Sequence, residues 1–128
     1  MKDILLAVNG SLMRGLALNK NLLDVNAEFV REARTSDQYR LWSIDDQYPA
    51  MLRDAEHGAN IDLEIWELSS DALVEILKNE PPGLSLGKIQ LIDDEWIFGI
   101  LGEPYICNGM EEITEWGGFR NYIELKKT

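Results

Sequence analysis

The sequence predicts an α+β domain: a small mixed, mainly antiparallel, strongly curved sheet or β-barrel carrying two or three short helices. Two observations lead there. Strand-like segments number six or seven against two or three short helices, and these strand-like segments lie mostly next to one another in the chain. Helix-like spacing is confined to brief stretches, which argues against a doubly wound fold with a helix after every strand. A length of 128 residues suits one domain spanning 1–128, large enough to bury a core without disulfide or metal staples.

The elements follow in order. Lys2 to Asn9 reads as a buried first strand, an apolar run ended by Asn9-Gly10. Gly15 to Val25 places Leu16, Leu18, Leu22 and Leu23 at largely helical spacing. Ala27 to Thr35 and Tyr39 to Asp45 read as strands joined by the polar turn Ser36-Asp37-Gln38. Tyr48 to Leu52 is extended, since Pro49 disfavours helix at the residue before it. Ile61 to Leu68 is the cleanest strand, with Ile61, Leu63 and Ile65 on one face. Ser69-Ser70-Asp71 supplies N-cap chemistry for a helix bearing Leu73, Ile76 and Leu77, and Pro81-Pro82-Gly83 stops it. Lys88 to Ile92 and Glu95 to Leu101 form a hairpin about Asp93-Asp94, and a short helical turn follows Trp116-Gly117-Gly118-Phe119.

Composition excludes several functions. A net charge of −11 leaves no basic surface for a nucleic-acid backbone or an anionic membrane. The single Cys107 and single His57 supply neither a disulfide, nor a zinc site, nor a catalytic triad, so no metal or cofactor is expected. Cys107 reads as a small half-buried hydrophobe and His57 as an exposed turn residue. The apolar run that follows Met1-Lys2-Asp3 is too short for a signal peptide or a membrane span, which points to a soluble cytoplasmic protein.

Acid/base chemistry therefore falls to carboxylates, of which there are 23. Glu80 stands out because it lies where a helix ends before Pro81. There a side chain either points over a sheet face or stays solvated at the helix C-terminus. Glu64 and Asp62 lie opposite Ile61, Leu63 and Ile65 and are expected to face solvent, although Trp66 and Leu68 share that face. The strand-to-turn passage Val8-Asn9-Gly10-Ser11-Leu12 can aim several backbone N–H groups at one point. The aromatics of Tyr39 to Trp42 with Tyr48, and of Trp116 to Phe119, wall a pocket or, as such runs more often do, pack in the core. Arg120 can meet a substrate carboxylate or form a surface or structural salt bridge.

Over nearly its whole length the sequence resembles the C-terminal domain of allophanate hydrolases, within the gamma-glutamylcyclotransferase-like fold. The matching pieces begin with Asn9 to Asn19, then Phe29 to Thr35 with Tyr39-Arg40-Leu41, and Ile61 to Leu68. They end with Pro82-Gly83-Leu84-Ser85-Leu86-Gly87 and Ile113-Thr114-Glu115-Trp116-Gly117-Gly118-Phe119-Arg120. The resemblance implies a mixed barrel whose central cavity opens past the loop after the first strand. In the cyclotransferase branch that loop's amides hold substrate, and a glutamate matching Glu80 acts as acid and base while the substrate's amine attacks its own gamma-carbonyl. In the allophanate hydrolase branch the domain assists an amidase by helping decarboxylate a small product. The implied substrate-binding residues are Asn9, Gly10, Ser11, Leu12, Met13 and Asn19, with Tyr39 and Arg120 beyond the loop.

The chain departs from both branches. Asn9 replaces the cyclotransferase loop aromatic, Leu12 replaces a histidine of the other branch, and Ala17 and Ala50 replace residues that are usually Pro and Gly. No amidase Ser-Ser-Lys machinery is present. Two readings follow: an enzyme acting on a compact carboxylate or amide, or a binding module that docks on an amidase or a homodimer mate. The retained Gly10 and Glu80 set the enzyme reading ahead.

Overall fold

A computed structural model describes residues 2–126. Its framework is a five-stranded sheet built from β1 (Ile4–Val8), β2 (Glu28–Arg34), β5 (Asp62–Leu68), β6 (Leu84–Gln90) and β7 (Trp96–Gly102), in the order β2-β5-β1-β7-β6. All neighbours are antiparallel except β1 and β7, which run parallel with Leu6 opposite Phe98. A second sheet holds β3 (Tyr39–Ile44) between β4 (Tyr48–Arg53) and the two-residue β8 (Glu111–Glu112). Three helices complete the described fold: α1 (Asn19–Asp24), α2 (Ser70–Lys78) and α3 (Phe119–Lys126). None is long and apolar enough to cross a membrane.

The curl of the large sheet brings its edges together at one point. Thr35 and Leu91 bridge, Ser36 N donates to Gln90 O at 2.9 Å, and Ile92 N donates to Arg34 O at 3.0 Å. Contact stops there, so the strands make a curved sheet faced by a smaller one instead of a closed barrel. The mixed, mainly antiparallel α+β class read from the sequence holds; closure does not. The expected turn Ser36-Asp37-Gln38 therefore joins two sheets, because Thr35 is drawn to β6 and β3 pairs with β4.

Inside the curl lie Leu6, Leu41, Met51, Leu63, Ile65 and Ile89, all essentially inaccessible. Each such side chain contributes on the order of 1.5–3 kcal/mol through its removal from water. Helix α2 adds Ala72, Leu73 and Ile76 to this core, and Ser69 Oγ caps it by accepting from Ala72 N at 3.1 Å. The first helix is shorter than its apolar spacing predicts. Residues 15–18 remain in turns because Leu18 N is taken by Ser11 O at 2.9 Å and Gly15 sits at φ +78°.

Candidate functional site

At the end of β1 the chain leaves the sheet and folds over its rim. Asn9 pins this departure: its Nδ2 donates to Ile100 O on β7 at 3.0 Å. Gly10 then passes against the Pro49 ring so closely that a Cβ there would lie 2.7 Å from Pro49 Cγ. Only glycine fits this approach. Carbonyl groups of the loop are occupied, with Gly10 O accepting from Met13 N at 3.0 Å and Leu12 O from Asn19 Nδ2 at 2.8 Å. The N–H groups of Gly10, Ser11 and Leu12 differ: among the described residues none has an acceptor. Three buried residues thus present unused donors, a feature that native structures seldom leave without purpose.

Glu80 faces the same place. Helix α2 ends at Lys78, Asn79 keeps a helical conformation, and Glu80 N still reaches Leu77 O at 3.2 Å before Pro81 turns the chain. The side chain thereby enters a narrow cleft of about 20 Å³ with Asn9, Gly10, Ser11 and Leu12, walled by Val8, Tyr48, Pro49, Leu84 and Ile100. Burial pushes the Glu80 carboxyl up to about 6, and no donor among the described residues offsets it. Tyr48 is raised by burial first, then by the negative charges of Asp45 and Glu80. A carboxyl held near neutrality beside unused amide donors is equipped to take and return a proton from a bound small molecule.

A second structure underlies the loop. Glu64 is fully buried, against the expectation of solvent exposure. Its Oε1 accepts from Arg14 N at 2.9 Å and Trp66 Nε1 at 3.2 Å, and its Oε2 from Arg14 Nε at 3.0 Å and Arg120 Nη2 at 2.9 Å. Burial pushes Glu64 upward, but the donors from Arg14, Arg120 and Trp66 outweigh it and hold the carboxyl below its ordinary value. The loop's own Arg14 covers this face of β5, lying 3.6 Å above the Phe29 ring. Trp66 and Leu68 on the same strand face were the available signal, since a face bearing both is rarely left open.

The remaining candidates disperse. Arg120 is engaged with Glu64 and Arg14 O, in the structural salt bridge that was its alternative reading. It lines, with Met13, a separate hollow of about 320 Å³ in which Arg34 pairs with Asp62 at 3.3 Å and Glu32 with Arg14 at 3.1 Å. Its charged groups are thus already matched. Tyr39 is wholly buried, its hydroxyl accepting from Gln90 N at 2.9 Å, and it does not line the Glu80 cleft. Asn19 braces the loop from behind. His57 is exposed and Cys107 is buried, which raises its thiol.

Known proteins place the chain. A family model described as the allophanate hydrolase C-terminal domain matches residues 4–124. The chain belongs to that family. The urea amidolyase of Saccharomyces cerevisiae is 32% identical over 132 residues, covering 98% of this chain but only 7% of its own length. This member of the allophanate hydrolase C-terminal family thus spans a small fraction of that curated relative. A uropathogenic E. coli-specific protein, c4763, is 48% identical with a TM-score of 0.94, covering 97% of this chain and 98% of its own. An allophanate hydrolase from Kluyveromyces lactis aligns at 28% identity and a TM-score of 0.91 over 97% of this chain and 21% of its own. A gamma-glutamyl cyclotransferase at 13% identity and a TM-score of 0.55, over 85% of this chain and 69% of its own, shares the fold alone.

Proposed function

We propose that this domain binds and transforms a compact carboxylate or amide in the cleft between the Gly10-Ser11-Leu12 loop and Glu80. The loop amides hold an oxygen of the ligand, and Glu80 serves as acid and base. The observation that carries this reading is that Gly10, Ser11 and Leu12, whose backbone donors are unused, line one cleft with a desolvated, unpartnered carboxyl. Oxyanion-type stabilisation by such amides is a large term in acyl chemistry. The relative named allophanate hydrolase suggests breakdown of a urea-derived carboxylate, and the resemblance of the sequence to the cyclotransferase branch suggests gamma-glutamyl cyclotransfer as the other reaction class.

A second reading is favoured by two features: the relatives carry this domain as a small part of a much longer chain, and Asn9 and Leu12 cannot move protons at neutral pH. On that reading the domain is a binding module that meets an amidase partner or a second copy of itself. One experiment separates them. Wild-type protein and Glu80→Gln are assayed for turnover of gamma-glutamyl amines and urea-derived carboxylates, with thermal stability recorded against the same panel. Turnover abolished by Glu80→Gln supports the enzyme. Ligand-independent stability, no turnover and co-purification with an amidase support the module.

A further inference from the structure

The charge of the cleft carries more information than its shape. Its walls are Val8, Leu12, Pro49, Leu84 and Ile100 with the Tyr48 ring, and no arginine, lysine or histidine is among its lining residues. The one ionisable carboxyl in it is Glu80. Asp45 adds negative charge next door, where it pushes Tyr48 upward alongside burial and Glu80. The nearest cation in sequence, Lys78, is turned away into a pair with Glu75 at 3.2 Å. A net charge of −11 for the whole chain reinforces the same sign.

We propose that this cleft takes an uncharged amide end group and discriminates against the carboxylate of the same shape. An amide brings both complements: its carbonyl oxygen accepts from the Gly10, Ser11 and Leu12 N–H groups, and its N–H donates to Glu80. A carboxylate satisfies the loop amides equally well but sets a second anion against Glu80 with no cation between them. It binds only if Glu80 takes up a proton. With the Glu80 carboxyl at about 6, that uptake at pH 7.5 weakens binding by roughly 30-fold. A volume of about 20 Å³ admits a group close to the size of one water, so the cleft reads the end of a ligand and leaves its remainder outside. The inference rests on the reading of this cleft as a ligand site.

Acetamide and acetate are matched in size and differ in charge, and they serve as probes at constant ionic strength. Each is titrated at pH 7.5 into ¹⁵N-labelled wild-type protein and Glu80→Gln, following the amide signals of Gly10, Ser11 and Leu12. Acetamide is expected to bind wild type at least tenfold more tightly than acetate, and Glu80→Gln is expected to bring the two within about threefold. Signals remote from the cleft report that the variant is folded. Equal or tighter acetate binding to wild type, or a ratio unmoved in Glu80→Gln, overturns the charge selectivity while leaving the cleft as a ligand site. Loop amides that respond to neither probe overturn the selectivity and the site together.

Discussion

Glu80 should make the folded protein less stable at neutral pH than its neutral isostere would. The carboxyl lies in the cleft without a donor, and burial moves it from 4.5 to about 6. Below pH 4.5 it is neutral in folded and unfolded chains alike, so it has no effect on stability. Between 4.5 and about 6 the folded state holds more protons than the unfolded state, and stability falls as pH rises. Above that window the full penalty is in place, about 2 kcal/mol at most. In Glu80→Gln the group stays neutral throughout. The variant is therefore expected to match wild type at pH 4 and to unfold higher at pH 8, by roughly 5–8 °C for a domain of this size. Thermal unfolding by circular dichroism at the two pH values measures this, and comparing the two proteins at each pH cancels the other titrating groups. An equal difference at both pH values, or a less stable variant at pH 8, would refute the desolvated carboxyl.

Other expectations follow from the same geometry. Glu64→Ala removes a buried carboxylate that accepts four hydrogen bonds and leaves Trp66 Nε1 and Arg14 N unsatisfied; urea unfolding should show a loss of about 2–4 kcal/mol, and Glu64→Gln roughly half that. Gly10→Ala drives a methyl into the Pro49 ring, so a loss of about 1–3 kcal/mol is expected, with amide shifts concentrated in residues 9–13. Asp46 is held down at about 2 by Lys126, Ser43 and Tyr122. The stability it lends is present above its ordinary value of 3.8 and is lost as pH falls toward 2. Asp46→Asn should therefore flatten the acid limb of the unfolding profile, by a small amount because the side chain is partly exposed.

Much of the fold is legible in the residues because local signals and tertiary demands coincide there. Strand β5 alternates cleanly, Ser69 and Pro81 bracket α2, and Asp93-Asp94 turn the β6–β7 hairpin with Asp94 at φ +73°. Where tertiary contacts decide, sequence reading falls short. The apolar spacing of residues 15–18 is helical, yet Ser11 O captures Leu18 N and holds the loop open. The pairing of β8 with β3 spans about seventy residues and rests on two residues without a pattern of their own. Glu64 reads as a surface residue by alternation because its three donors arrive from a loop fifty residues earlier, a neighbour on its own strand and a helix at the far end of the chain. Glu80 stands out in the sequence by its position before Pro81, but only the packing of Tyr48, Pro49 and Leu84 about it supplies the desolvation that its proposed chemistry needs.

The account turns on Glu80 as a proton-holding group inside a ligand cleft, and a carbon-13 titration of its side-chain carboxyl tests that directly. Its midpoint is expected near pH 6. Saturating acetamide, whose N–H favours the ionised form, should lower that midpoint and leave distant carboxyls unmoved. A midpoint near 4.5 that does not respond to acetamide would contradict the account.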